Sequence, residues 1–143
     1  MKSKIHIFTD GGSRGNPGPG ASAFVAVVDP SGRDYRGGKQ ISKKSRFLGV
    51  CTNNEAEYRA LIMSLEWARS REFRDLMIHS DSQLMIKQLF GEYKVKSRRI
   101  RPLYEKAKGL LVDVRWSAIH HNREHPWITI CDSLVNNELD SRM

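Results

Sequence analysis

Apolar and polar residues alternate over residues 4–9, Lys-Ile-His-Ile-Phe-Thr, and predict a strand that ends at Asp10. The stretch from Gly11 to Gly20 is rich in glycine and proline and predicts a turn-rich loop. Residues 21–28 are small and β-branched and predict a second strand. Asp29-Pro30-Ser31-Gly32 predicts a turn, and residues 33–41 a returning third strand, so this part reads as an antiparallel meander. The period then changes. Ala56, Ala60, Met63 and Trp67 recur at helical spacing, widened by Leu61, Leu65 and Ala68. Thr52 followed three residues later by Glu55 has the capping-box form, so a helix is predicted over 54–71. Residues 76–80 predict a short strand. Ser80 and Gln83 repeat the capping-box spacing and predict a helix over 82–90. A helix over 98–111, a strand over 112–119, a polar loop over 120–129 and a last helix near 131–140 complete the pattern.

Strands alternating with helices in the second half imply parallel pairing there. The expected architecture is α/β: a five-stranded mixed sheet, antiparallel in its first three strands and parallel afterwards, with helices on both faces. The 143 residues show no break in composition, and one domain over 1–143 is expected. No apolar run is long enough to span a bilayer, and the N-terminus lacks the apolar stretch of a signal peptide. Cys51 and Cys131 show no metal-ligand spacing and are read as reduced thiols of a cytoplasmic protein.

Charge narrows the partners. The net charge is +8, and the basic residues cluster. Lys94, Lys96, Arg98, Arg99, Arg101, Lys106 and Lys108 form one group; Lys39, Lys43, Lys44 and Arg46 form another. Such groups neutralise phosphates without reading sequence, which points to a nucleic acid.

The acidic residues supply the chemistry. Asp10 and Asp81 end two predicted strands, and Glu57 lies in the first turns of the first long helix. If the two strands are parallel neighbours, both aspartates meet at the carboxyl edge of the sheet, where α/β folds place ligands. Asp132 opens the last helix as a fourth candidate. Clustered carboxylates repel one another unless something compensates. Hard divalent cations with oxygen ligands are the usual compensation, and two of them about 4 Å apart promote phosphodiester hydrolysis.

Four segments carry a family resemblance: Phe8 to Gly20, Thr52 to Leu61, Ser80 to Leu84, and Cys131 to Asn136 followed by Leu139-Asp140. In this order and spacing they resemble the type 1 ribonucleases H over nearly the whole chain. The resemblance implies a ribonuclease H-like fold and endonucleolytic hydrolysis of the RNA strand of RNA–DNA hybrids, leaving 5′-phosphate and 3′-hydroxyl ends. It implies Asp10, Glu57, Asp81 and Asp132 as ligands of two Mg²⁺ or Mn²⁺ ions. It implies Gly11, Gly12, Asn16, Thr52, Asn53, Asn54 and Gln83 as the hybrid groove, reading duplex shape and 2′-hydroxyls rather than bases. Thr52 is open to a second reading as a helix cap alone. A catalytically inactive binding module on the same fold is the alternative.

The pattern departs from the family before Asp132. Where many relatives carry an assisting histidine, this chain has Asn122. His121, His125 or none takes that role. His6 and His79 are read as strand residues with structural roles, and His120 as a strand end. The segment Gly91 to Arg101 has no room for the extra helix of a basic protrusion, and no separate hybrid-binding module is expected. A monomer is expected, with the hybrid as its partner and no membrane association.

Overall fold

The structure is a computed structural model in which residues 4–28 and 38–142 are described. Strands β1 (Ile5–Ser13), β2 (Gly18–Val28) and β3 (Lys39–Cys51) are followed by helix α1 (Asn53–Ser70), β4 (Asp75–Ser80), α2 (Gln83–Leu89), α3 (Arg101–Leu110), β5 (Arg115–His120) and α4 (Pro126–Asp140). The sheet order is β3-β2-β1-β4-β5. β1 pairs antiparallel with β2, and β2 with β3; β1–β4 and β4–β5 are parallel. The expected mixed sheet with helices on both faces is the observed one.

Period-two alternation divides β1 between two cores. Ile5 and Ile7 pack with Phe24, Ala26, Leu76 and Ile78 against Tyr58, Leu61, Leu65 and Trp67 of α1. Phe8 faces the other way and packs with Val25, Val27, Ile128 and Cys131 under α4. α1 starts where the sequence says it should. Thr52 Oγ1 accepts from Glu55 N, and Glu55 Oε1 accepts from Thr52 N, which completes the capping box. Cys51 and Cys131 are buried and unpaired. Among the described residues no helix is long and apolar enough to cross a membrane.

Four expectations need correction. β1 does not stop at Asp10 but continues to Ser13, because Gly11 to Ser13 keep pairing with β2. The third strand is Lys39–Cys51 rather than 33–41. Residues 33–37, and the turn expected at Asp29 to Gly32, lie outside the described residues. β3 is an edge strand held to β2 by backbone bonds, with mostly exposed side chains, so its lysines and serines carry no core-facing alternation. α2 is capped by Ser82, not Ser80: Ser82 Oγ accepts from Met85 N, while Ser80 Oγ accepts from Ser82 N. α4 begins at Pro126, well before residue 131. Trp127, Ile128, Thr129 and Ile130 are poor helix formers in isolation, but Pro at the first helical position and a capping His125 start the helix there.

Candidate active site

β1 and β4 run parallel side by side, so Asp10 on the first and Asp81 just beyond the second converge at the same edge. Glu57 reaches them from the fifth residue of α1. One carboxylate oxygen from each of Asp10, Glu57 and Asp81 lies within 4.8 Å of the other two. Two short contacts fix α1 against the sheet, one from β1 and one from β2. Gly11 N donates to Glu57 Oε1 at 2.6 Å, and Ser22 Oγ donates to Ala56 O at 2.6 Å. A Cβ at Gly11 would run into the backbone of Ala56, so the approach of helix to strand depends on that glycine.

Electrostatics follow from the crowding. Burial, and then the charges of Asp81 and Asp132, push the Asp10 carboxyl up to about 8. Burial, and then Asp10 and Asp81, hold Glu57 well above the usual carboxylate range, against the pull of the Gly11 N–H. Arg123 Nε stands 3.3 Å from Asp81 Oδ2 and returns part of the missing positive charge. This is an all-oxygen, partly buried donor set with an excess of negative charge, and it fits a hard divalent cation.

The three carboxylates open onto a groove of about 650 Å³. Of the residues proposed from sequence, Gly11, Gly12, Asn53, Asn54, His121 and Asp132 line it. Asp132 is exposed on α4 and bonded by Asn136 Nδ2 at 3.3 Å. Asn16, Thr52 and Gln83 do not line the groove. Asn16 Oδ1 accepts from Asn53 N at 3.0 Å, while Asn53 Oδ1 accepts from Ser13 N and Ser13 Oγ, which ties the β1–β2 turn to the start of α1. Thr52 caps α1, and Gln83 is the exposed first residue of α2. Of the two candidate histidines, His121 reaches the groove, whereas His125 is buried and caps α4, its Nδ1 accepting from Trp127 N. Ser13, Arg14, Arg123 and Asn136 also line the groove and were not singled out from sequence. Nothing local in the sequence shows that Arg123 folds back onto Asp81.

Known proteins carry the same arrangement of chain. The family described as "Reverse transcriptase-like" matches residues 8–129. The ribonuclease HI of Halobacterium salinarum is 38% identical over 138 residues, covering 96% of this chain. The chain spans 65% of that relative's length. The crystal structure of RNase H1 from Halobacterium salinarum superimposes with a TM-score of 0.87 at 36% identity, covering 97% of this chain and 99% of that one. LC11-RNase H1 in complex with an RNA/DNA hybrid gives a TM-score of 0.83 at 32% identity, covering 96% and 98%. With the matched family spanning most of its length and solved type 1 ribonucleases H superimposing over nearly all of it, the chain belongs to the type 1 ribonuclease H family.

Proposed function

We propose that this protein hydrolyses the RNA strand of RNA–DNA hybrids endonucleolytically, leaving 5′-phosphate and 3′-hydroxyl ends. The observation that carries the reading is the meeting of Asp10, Glu57 and Asp81 oxygens within 4.8 Å at the carboxyl edge of a parallel strand pair. Asp132, which lines the same groove, is the fourth proposed ligand. These four residues would hold a pair of Mg²⁺ or Mn²⁺ ions, whose chemistry when bound would be to neutralise charge on the phosphate and to acidify water.

The chain's own residues do the rest. The carboxylates hold the acidic end of the groove, and Gly11 and Gly12, which line it, offer main-chain groups to a 2′-hydroxyl. Asn53 and Asn54 offer amides along the same wall, and Asn16 and Thr52 support it from behind. Gln83 stands outside, exposed, where a duplex extending past the groove reaches it. His121 is the histidine positioned to hold or move a proton beside the scissile bond. Water adds to phosphorus, the bond to the 3′ oxygen breaks, and that oxygen takes up a proton. Lys94 and Lys96 flank Leu84 and Tyr93 on a shallow surface that suits a phosphate backbone. Substrate and buried thiols suit a cytoplasmic setting, and the protein is proposed to act as a monomer.

A labelled hybrid incubated with Mg²⁺ or Mn²⁺ tests the reading. Cleavage confined to the RNA strand supports it. Binding without cleavage, in both metals, refutes it in favour of an inactive binding module.

A further inference from the structure

A file of imidazoles runs beneath α4 from the sheet toward the groove. His6 projects from β1, His79 from β4, and His121 follows β5. His6 Nδ1 lies 2.9 Å from His79 Nε2, and His79 Nδ1 lies 2.7 Å from His121 Nε2. Both ring nitrogens of His79 therefore face another imidazole. His79 is fully buried, and Phe8 stacks on it with centroids 4.1 Å apart and planes at 13°. The rings of His79 and His121 are 4.9 Å apart and nearly parallel. His6 and His79 are distant in sequence, and the parallel register that sets Phe8 beside His79 brings them together.

This geometry restricts where protons can sit. His79 has no exposed surface and sits between two other imidazoles and the Phe8 ring, surroundings that disfavour a charged ring, so it is neutral. A neutral imidazole has one N–H and one lone pair. With an imidazole on each nitrogen, His79 satisfies both contacts only if the array donates in one direction throughout. Either His6 donates to His79 and His79 to His121, or every bond is reversed. In the first arrangement His121 carries its proton on Nδ1; in the second, on Nε2. A packing role alone would need only a flat ring beside Phe8, and it leaves this alignment of four nitrogens unexplained.

We propose that His79 is a positioning residue for His121: with His6 behind it, it fixes the tautomer and ring angle of the histidine that lines the carboxylate groove. The proposal rests on the reading of that groove as a nuclease site. The two are separable, because one is read by spectroscopy and the other by cleavage.

The test uses isotope-labelled, Mg²⁺-loaded protein as wild type, His79→Phe and His6→Leu. His79→Phe keeps a flat ring against Phe8 and removes both bonds. His6→Leu cuts the array at its far end, away from the groove. Imidazole ¹⁵N shifts should show one His121 tautomer in the wild type and a mixture in either variant. In cleavage assays, kcat should fall about tenfold in His79→Phe with KM nearly unchanged, a typical loss for a residue that orients another. Adding His79→Phe to His121→Ala should cost nothing further. A single unchanged His121 tautomer in both variants overturns the proposal. So does an unaltered kcat in both variants when His121→Ala slows the enzyme. If the wild type cuts no hybrid, the nuclease reading falls, and the NMR comparison still decides whether His79 fixes His121.

Discussion

Gly11 and Glu57 are joined by a 2.6 Å hydrogen bond from the strand backbone to the helix carboxylate. The bond needs α1 to sit directly on β1, and only a residue without a side chain lets it do so. Gly11→Ala should therefore push the first turn of α1 outward and carry Glu57 with it. Overpacking of this kind costs about 3 kcal/mol at the upper end of its usual range. Urea unfolding should show that loss, and Mg²⁺-dependent cleavage should fall more than tenfold even where the variant remains folded.

Asp10→Asn and Asp81→Asn should each abolish Mg²⁺- and Mn²⁺-dependent cleavage while leaving the circular dichroism spectrum intact. In metal-free buffer at pH 8 or above, Asp10→Asn should also melt higher than the wild type. It removes a buried charge that Asp81 and Asp132 oppose. A gain of about 1 kcal/mol corresponds to a few degrees in Tm for a chain of this size. An active Asp10→Asn enzyme would refute the site.

Cation binding should strengthen with pH. Asp10 holds its proton to about 8 in the folded, metal-free protein, against 3.8 ordinarily. Between those values the folded state binds more protons than the unfolded one, so the contribution of this group to metal-free stability falls as pH rises. A cation must displace the same proton, so its affinity rises over that range. Thermal shift with Mg²⁺ should accordingly be larger at pH 8.5 than at pH 6.5. A shift independent of pH would contradict the protonated carboxylate.

Hybrid binding should weaken steeply with salt. Measured with the inactive Asp10→Asn variant, the slope of log K against log salt should be about 0.9 per phosphate contacted. Lys94→Ala with Lys96→Ala should flatten it by nearly two such contacts. An unchanged slope would place the hybrid elsewhere on the surface.

Much of this site was legible in the sequence because its parts are local signals. Thr52 and Glu55 announce the start of α1, and that start places Glu57. Asp10 and Asp81 could be paired because alternating strands and helices imply parallel neighbours. What escaped depended on contacts between distant segments. The start of α4 was hidden by Trp127 to Ile130, whose side chains oppose a helix until Ile128 finds Phe8 and Val25. β3 was hidden because an edge strand takes its order from its neighbour's backbone. His6 and His79 each looked like an ordinary strand residue, since nothing in either local pattern reports a ring on the adjacent strand.

β3 has a further consequence as the margin of the sheet. Among the described residues it is a long sheet margin with no further strand on its outer side, the sort of ledge on which another chain's strand can polymerise. Lys39, Lys43, Lys44 and Arg46 occupy that ledge, and register shifts interrupt its pairing with β2 at two points. Two such margins brought together would set lysine against lysine, and that repulsion would oppose strand-on-strand assembly into fibres.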